Sequence, residues 1–266
     1  AIALQTDLKI VVAGYSYNGL NYDFALARYN ANGSLDSTFG TGGKVTTSIL
    51  STKDDLAWAI AIQSDGKIVV AGNTFNGSDT LFALVRYNVN GSLDTTFGTG
   101  GKVTTAIGDV GASAYAITIQ SDGKIIIAGN SDYLMSPPNV YSSMVALARY
   151  NSNGTPDITF GSGGVVTTIL GQQDYGFALA LQTDGKIVVA GSAANANYDY
   201  DFCLARYNSN GSLDSTFGAG GKVTTQIGVS DDQSKALVIQ TDGKIVVGGY
   251  SWNGSNLDFA LARYWP

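Results

Sequence analysis

The sequence contains no histidine and no glutamate; all 21 acidic residues are aspartate. Without histidine there is no imidazole metal site, no Ser-His-Asp triad and no imidazole general base. The single cysteine, Cys203, excludes an internal disulfide and any multi-cysteine zinc site. Charged residues make up 14% of the chain, well below the roughly 25% of an average globular protein. A chain without glutamate and with only 15 Lys plus Arg has given up much of the surface-helix vocabulary, so large helices are not expected. The net charge of −6 leaves no basic face for nucleic acid. No apolar run approaches the ~20 residues of a membrane helix. The chain opens at Ala1 without methionine or a visible signal peptide, which points to a processed or trimmed chain.

Glycine, by contrast, is abundant, 34 of 266 residues, about twice its usual ~7% share. It falls in a repeat. Gln-x-Asp-x-Lys-Ile begins at Gln5, Gln63, Gln120, Gln182 and Gln240, and each copy is followed by an Arg-Tyr pair, at Arg28, Arg86, Arg149, Arg206 and Arg263. A third block, Asn-Gly-(Ser/Thr)-x-Asp-x-Thr-Phe-Gly-x-Gly-Gly, starts at Asn32, Asn90, Asn153 and Asn210. Repetition at this period means a stacked or radial array whose units bury their faces only against neighbours.

Each unit reads as β structure. AIAIQ (59–63), the turn SDG and KIVVAG (67–72) form a hairpin signal with Asp-Gly at its tip. FALVRYN (82–88) alternates as a strand does, and KVTTAI (102–107) follows the glycine-rich turn as a Thr/Val-rich strand. Four short strands per ~58-residue unit is the pattern of a propeller blade. The expectation is an all-β, five-bladed β-propeller of mostly four-stranded antiparallel blades, one domain over 1–266. The fifth copy lacks the glycine-rich block and the last strand, which leaves either a three-stranded blade or a strand outside this chain.

At QSDGKIVVAG, FALVRYN and NGSLDTTFGTGGKVTT the sequence resembles the delta-60 repeat, a repeat of bacterial secreted and cell-surface proteins, with a looser similarity to NHL-type propeller repeats. The resemblance covers nearly all of the chain. It implies a β-propeller in an extracellular or cell-surface setting and carries no general activity.

Most charges recur with the repeat. The Arg of each copy and Asp36, Asp94, Asp157 and Asp214 of the Phe-Gly blocks are expected to pair and hold blades together. Asp55, Asp174 and Asp232, each eight residues before a repeat Gln, are weak candidates for a cation such as calcium, with turn or cap carboxylates as the other reading. Asn30-x-Asn32-Gly-x-x-Asp36 resembles a calcium loop but lacks its carboxylate set. No other cofactor is expected. Cys203 stands where other copies have alanine and reads as a small buried side chain, and no catalytic residue is assigned.

Variation between copies collects between the second and third strands and in the connection to the next blade. In an up-and-down blade both emerge at one end, the candidate binding face. It carries Tyr17, Tyr22, Phe75, Tyr133, Tyr141, Tyr198, Tyr200 and Trp252, interleaved with Asn18, Asn76, Asn197 and Asn253. Aromatic planes beside amides suit sugar rings, since a ring face covers C–H surface while amides bond hydroxyls. The longest insertion, 130–145 with Pro137-Pro138, is the best single place for a blade-specific contact. Three readings stand: a non-enzymatic extracellular binding module for polysaccharide, a structural or adhesive repeat contacting a surface protein or itself, and, remotely, a glycoside hydrolase.

Overall fold

The computed structural model describes residues 1–50, 53–135 and 140–266. Among these there is no helix, and the 19 strands repeat one plan. The chain divides into two compact units, Ala1–Ile126 with Tyr150–Thr155, and Ile127–Arg149 with Pro156–Pro266.

In the first unit, β1 (Ile2–Leu4), β2 (Ile10–Tyr17), β3 (Tyr22–Tyr29) and β4 (Lys44–Thr47) form an antiparallel sheet in sequence order. So do β5 (Asp55–Ile62), β6 (Ile68–Phe75), β7 (Thr80–Tyr87) and β8 (Lys102–Thr105); β9 (Gly111–Ile119) meets β7 through Thr80 and Gly111. In the second unit, β10 (Ile125–Met135), β11 (Val140–Tyr150) and β12 (Val165–Thr168) are neighbours in order. Next come β13 (Asp174–Leu181), β14 (Ile187–Ala194), β15 (Tyr200–Tyr207) and β16 (Lys222–Thr225). The last sheet, β17 (Asp232–Ile239), β18 (Ile245–Trp252) and β19 (Leu257–Tyr264), is three-stranded. Successive antiparallel runs of strands form the blades of the expected all-β propeller fold, and β5 to β12 share one eight-stranded sheet.

The sequence dictates this locally. The Asp-Gly hairpin closes because Gly66 adopts φ +82° and donates its N–H to Gln63, while Asp65 accepts the Lys67 N–H. Alternating β3-type strands bury apolar side chains on both faces. In the first unit Phe24 and Leu26 pack on Ala57, Ile68, Val70, Val85 and Tyr87 of the following blade. In the second, Phe202 and Leu204 pack on Ile245, Val247 and Ala260 in the same way.

The expected Arg–Asp pairing is present. Arg28, Arg86, Arg149 and Arg206 place Nε 2.8 Å from Asp36, Asp94, Asp157 and Asp214. Each guanidinium also lies 4.5 Å from the ring of the Phe-Gly motif: Phe39, Phe97, Phe160 and Phe217. The first three reach further, donating from Nη1 to the carbonyls of Val89, Ser152 and Ser209 in the next blade. The Thr38 hydroxyl leads in holding Asp36 well below the usual carboxylate range, against the opposing effect of burial, and Thr216 does the same for Asp214. Asn32, in the motif resembling a calcium loop, spends its Oδ1 on the N–H and hydroxyl of Ser34. Cys203 is buried, and burial pushes its thiol up.

Candidate functional site

In the first unit the variable loop and the blade connection do meet at one end: Tyr22 N–H donates to Asp54 at 2.9 Å, and the Asn21 amide donates to the Lys53 carbonyl. There the aromatic side chains form a row. Tyr17 and Tyr15 each lie 5.4 Å from Tyr22 between ring centroids, Tyr15 lies 5.6 Å from Trp58, and Trp58 lies 6.1 Å from Tyr115. Tyr15, Tyr17, Tyr22 and Trp58 are 38–59% exposed, so the rings present faces and edges to solvent. Trp58 is fixed by its Nε1–H, which donates to Asn73 at 2.7 Å.

The second unit has a corresponding cluster. Tyr175 stacks on Phe177 at 5.7 Å and lies 6.0 Å from Tyr200, whose hydroxyl is 2.7 Å from Gln173 Oε1. Burial first, then Tyr175, pushes the Tyr200 phenol up to about 12. Lys235 Nζ sits 3.6 Å over the Phe177 ring, and partial burial lowers its pKa. Tyr250, Trp252 and Leu257 line a cleft of about 420 Å³ with Ser230, Asp231 and Gln233.

Of the residues singled out from sequence, Tyr17, Tyr22, Tyr200 and Trp252 fall in these clusters. Phe75 lies under Lys53, at 5.6 Å. Tyr133 is half-buried on β10, while Tyr141 and Tyr198 are exposed, Tyr198 at φ 66°. The asparagines serve the loops. Asn18, Asn76 and Asn253 each turn Oδ1 onto two backbone amides, and Asn197 gives its own N–H to Asn195. Pro137-Pro138 lie outside the described residues.

Sequence reading passed over Tyr15, Trp58, Tyr115, Tyr175, Phe177 and Lys235. The signal was there: Trp58, Tyr115, Phe177 and Lys235 each stand five residues before a repeat Gln. In three blades the first strand slips register beside this position, at Ala57/Ala59, Gly176/Ala178 and Ser234/Ala236. A β-bulge of this kind re-aims one side chain out of the alternation.

A family profile described as "Domain of unknown function (DUF5122) beta-propeller" matches residues 5–39, 63–97, 120–160, 182–217 and 240–266. The chain belongs to the DUF5122 β-propeller family. A search of curated proteins gave no match. Similar solved structures include Kuenenia stuttgartiensis hydrazine synthase (TM-score 0.52, 12% identity, 98% of this chain and 36% of that one). An exo-β-1,3-galactanase from Clostridium thermocellum (0.49, 10%, 98% and 57%) and the polysaccharide lyase Uly1 (0.47, 13%, 100% and 68%) are also similar. The DUF5122 chain thus spans little more than half of the galactanase and about a third of the hydrazine synthase chain. At these identities the likeness is one of fold.

The three aspartates entering the first strands are completely buried in the DUF5122 blades. Asp55, Asp174 and Asp232 each accept a backbone N–H from the incoming connection at 2.6 Å, from Ile49, Leu170 and Ile227. Their carboxylates therefore cap the blade crossings, and among the described residues no group of three or more metal-ligating side chains gathers. Asp55 also accepts from the Thr74 hydroxyl, but the residue paired with Asp174 is Ala193, and Asp174 Oδ1 has no partner. Burial pushes Asp174 from 3.8 up to about 6. The folded state then holds a proton that the unfolded chain has released between these values, so stability falls as pH rises through that window. Ala193→Ser supplies the missing donor. Thermal melts at pH 7.5 should show a gain of about 1–2 kcal/mol, or roughly 3–6 °C, that disappears near pH 4; an equal gain at both pH values refutes the assignment.

Proposed function

We propose that this chain is a non-enzymatic, extracellular or cell-surface binding module that takes polysaccharide along the aromatic end of its blades. The observation that carries the reading is the row Tyr17–Tyr22–Tyr15–Trp58–Tyr115, with rings 5.4–6.1 Å apart over successive blades. Solvent-facing rings in file suit a chain of sugar rings, each pressing C–H surface on an aromatic face. The loop asparagines hold the turns rather than the ligand; the tyrosine hydroxyls are the polar partners at hand. The resemblance to delta-60 repeats supports the extracellular setting.

A glycan array run with calcium and again with chelator tests this. Hits are expected in both conditions, because the buried aspartates are engaged by backbone amides. Trp58→Ala should weaken binding about tenfold, about 1.4 kcal/mol, by fluorescence or calorimetric titration. Absence of any hit, or hits that Trp58→Ala leaves intact, removes the reading.

A further inference from the structure

Along the aromatic row of the first unit, most hydrogen-bonding groups are already spent inside the protein. Trp58 gives its Nε1–H to Asn73, and the Tyr17 hydroxyl donates to the Gly19 carbonyl at 3.0 Å. Asn18 donates from Nδ2 to Asn21 and Asp23 and turns Oδ1 onto the amides of Leu20 and Asn21. The Asn21 amide is spent on the Lys53 carbonyl, and Asp54 accepts the Tyr22 N–H. The Tyr15 and Tyr22 hydroxyls donate to no group among the described residues. What the row shows a ligand is therefore mainly carbon surface.

The ring planes alternate. Tyr15 stands at 83° to Tyr22 and at 68° to Trp58. Tyr17 is tilted by 57° to Tyr22, and Tyr115 by 64° to Trp58. Each ring is steeply inclined to the next, so a ligand lying along the row meets a ring face at every second position and an edge between. Trp58 has the largest face and is held in place by Asn73, which makes Trp58 and Tyr22 the faces and Tyr15 the edge between them. The second unit is built differently. Tyr175 and Phe177 lie nearly parallel, at 6°, and Lys235 already covers the Phe177 ring.

We propose that the row selects a neutral, β-1,4-linked chain of all-equatorial pyranoses, of the glucose or xylose type; this rests on the polysaccharide reading above and narrows it. In such a sugar the hydroxyls radiate from the rim, so both ring faces are C–H surface that an aromatic face covers well. An axial hydroxyl would be pressed onto Tyr22 or Trp58 with no acceptor for its hydrogen, which costs its hydration without a compensating bond. The β-1,4 link turns each sugar over relative to the last, so every second sugar repeats its orientation, as every second ring of the row does. An α-linked chain coils and loses that match. Acidic sugars are disfavoured, because the chain carries a net charge of −6 and the Asp54 carboxylate stands beside Tyr22, while Lys53 lies over Phe75.

Calorimetric titration of the whole chain tests the selectivity with cellohexaose, xylohexaose, β-1,4-mannohexaose, which has an axial hydroxyl on every sugar, and maltohexaose, which has axial links. The first two should bind at least about tenfold more tightly than the last two. Cellobiose should bind much more weakly than cellohexaose, because it reaches one ring face only. Tyr22→Leu should weaken cellohexaose about tenfold, whereas Tyr22→Phe, which keeps the face, should bind as the wild type does. Equal affinity for all four hexaoses overturns the proposal, as does a preference for mannohexaose or maltohexaose, or a Tyr22→Phe protein as weak as Tyr22→Leu. If none of the four binds but other glycans on the array do so through Trp58, the polysaccharide reading stands and this selectivity falls. If the array is blank as well, both fall.

Discussion

Arg149→Met should lower the melting temperature by about 10 °C, from a loss of about 3–5 kcal/mol at roughly 2–4 °C per kcal/mol. Arg149 and Asp157 are 5% and 4% exposed, and the Nε–Oδ2 contact is 2.8 Å. Methionine keeps most of the stem but takes the guanidinium away from the buried Asp157 carboxylate, which also accepts from the Thr159 amide and hydroxyl. The Ser209 carbonyl loses its donor and the Phe160 face loses its cation at the same time. Most of the cost is that of keeping this carboxylate buried without the guanidinium, not the lost attraction. Asp157→Asn made in the Arg149→Met background should therefore cost much less than Asp157→Asn alone, and a double-mutant cycle should return a coupling of about 1–3 kcal/mol. Additive losses, or an unchanged melting temperature for Arg149→Met, would show that the arginine is not what joins the blade to its neighbour.

The blade plan was legible because a repeat multiplies a weak local signal. One Asp-Gly turn is ambiguous, whereas five at fixed distance from an Arg-Tyr pair leave few alternatives to a propeller. The Arg–Asp pair was legible for the same reason, both members recurring at constant separation. The aromatic end was only half legible. Comparing repeats finds loop residues that vary in length and type, such as Tyr17, Tyr22 and Tyr200, but it also gathers asparagines whose variation reflects turn geometry. Residues inside a strand were overlooked because strict alternation assigns them to a face in advance. Trp58 escapes that assignment through a register slip, which no property of the Trp58 side chain announces. Asp174 was legible as a repeated position, yet its raised pKa depends on Ala193 directly across the strand pair, a partner that only the register reveals.

That register slip has its own sequence mark, and it makes a sharp test. Gly72→Ala should destabilise the chain by about 1–3 kcal/mol, whereas the equivalent Gly14→Ala should be neutral or stabilise by about 0.4–1 kcal/mol. Both glycines stand nine residues after the repeat Gln, in VVAG. A methyl on Gly72 would lie 2.0 Å from the Leu56 carbonyl oxygen and 2.9 Å from the Ala57 Cα, backbone atoms that move only if the bulge is lost. Gly191 and Gly249 meet the bulged strands of their blades in the same way, at 1.7 and 1.9 Å from Tyr175 and Gln233 oxygens. Gly14 meets nothing within 4 Å in this chain. There alanine only narrows the unfolded ensemble. Because the bulge aims Trp58, any folded Gly72→Ala protein should also lose oligosaccharide affinity to about the level of Trp58→Ala, while Gly14→Ala binds as the wild type does. If Gly72→Ala melts with the wild type and keeps its affinity, the bulge is not what sets Trp58 in the aromatic row.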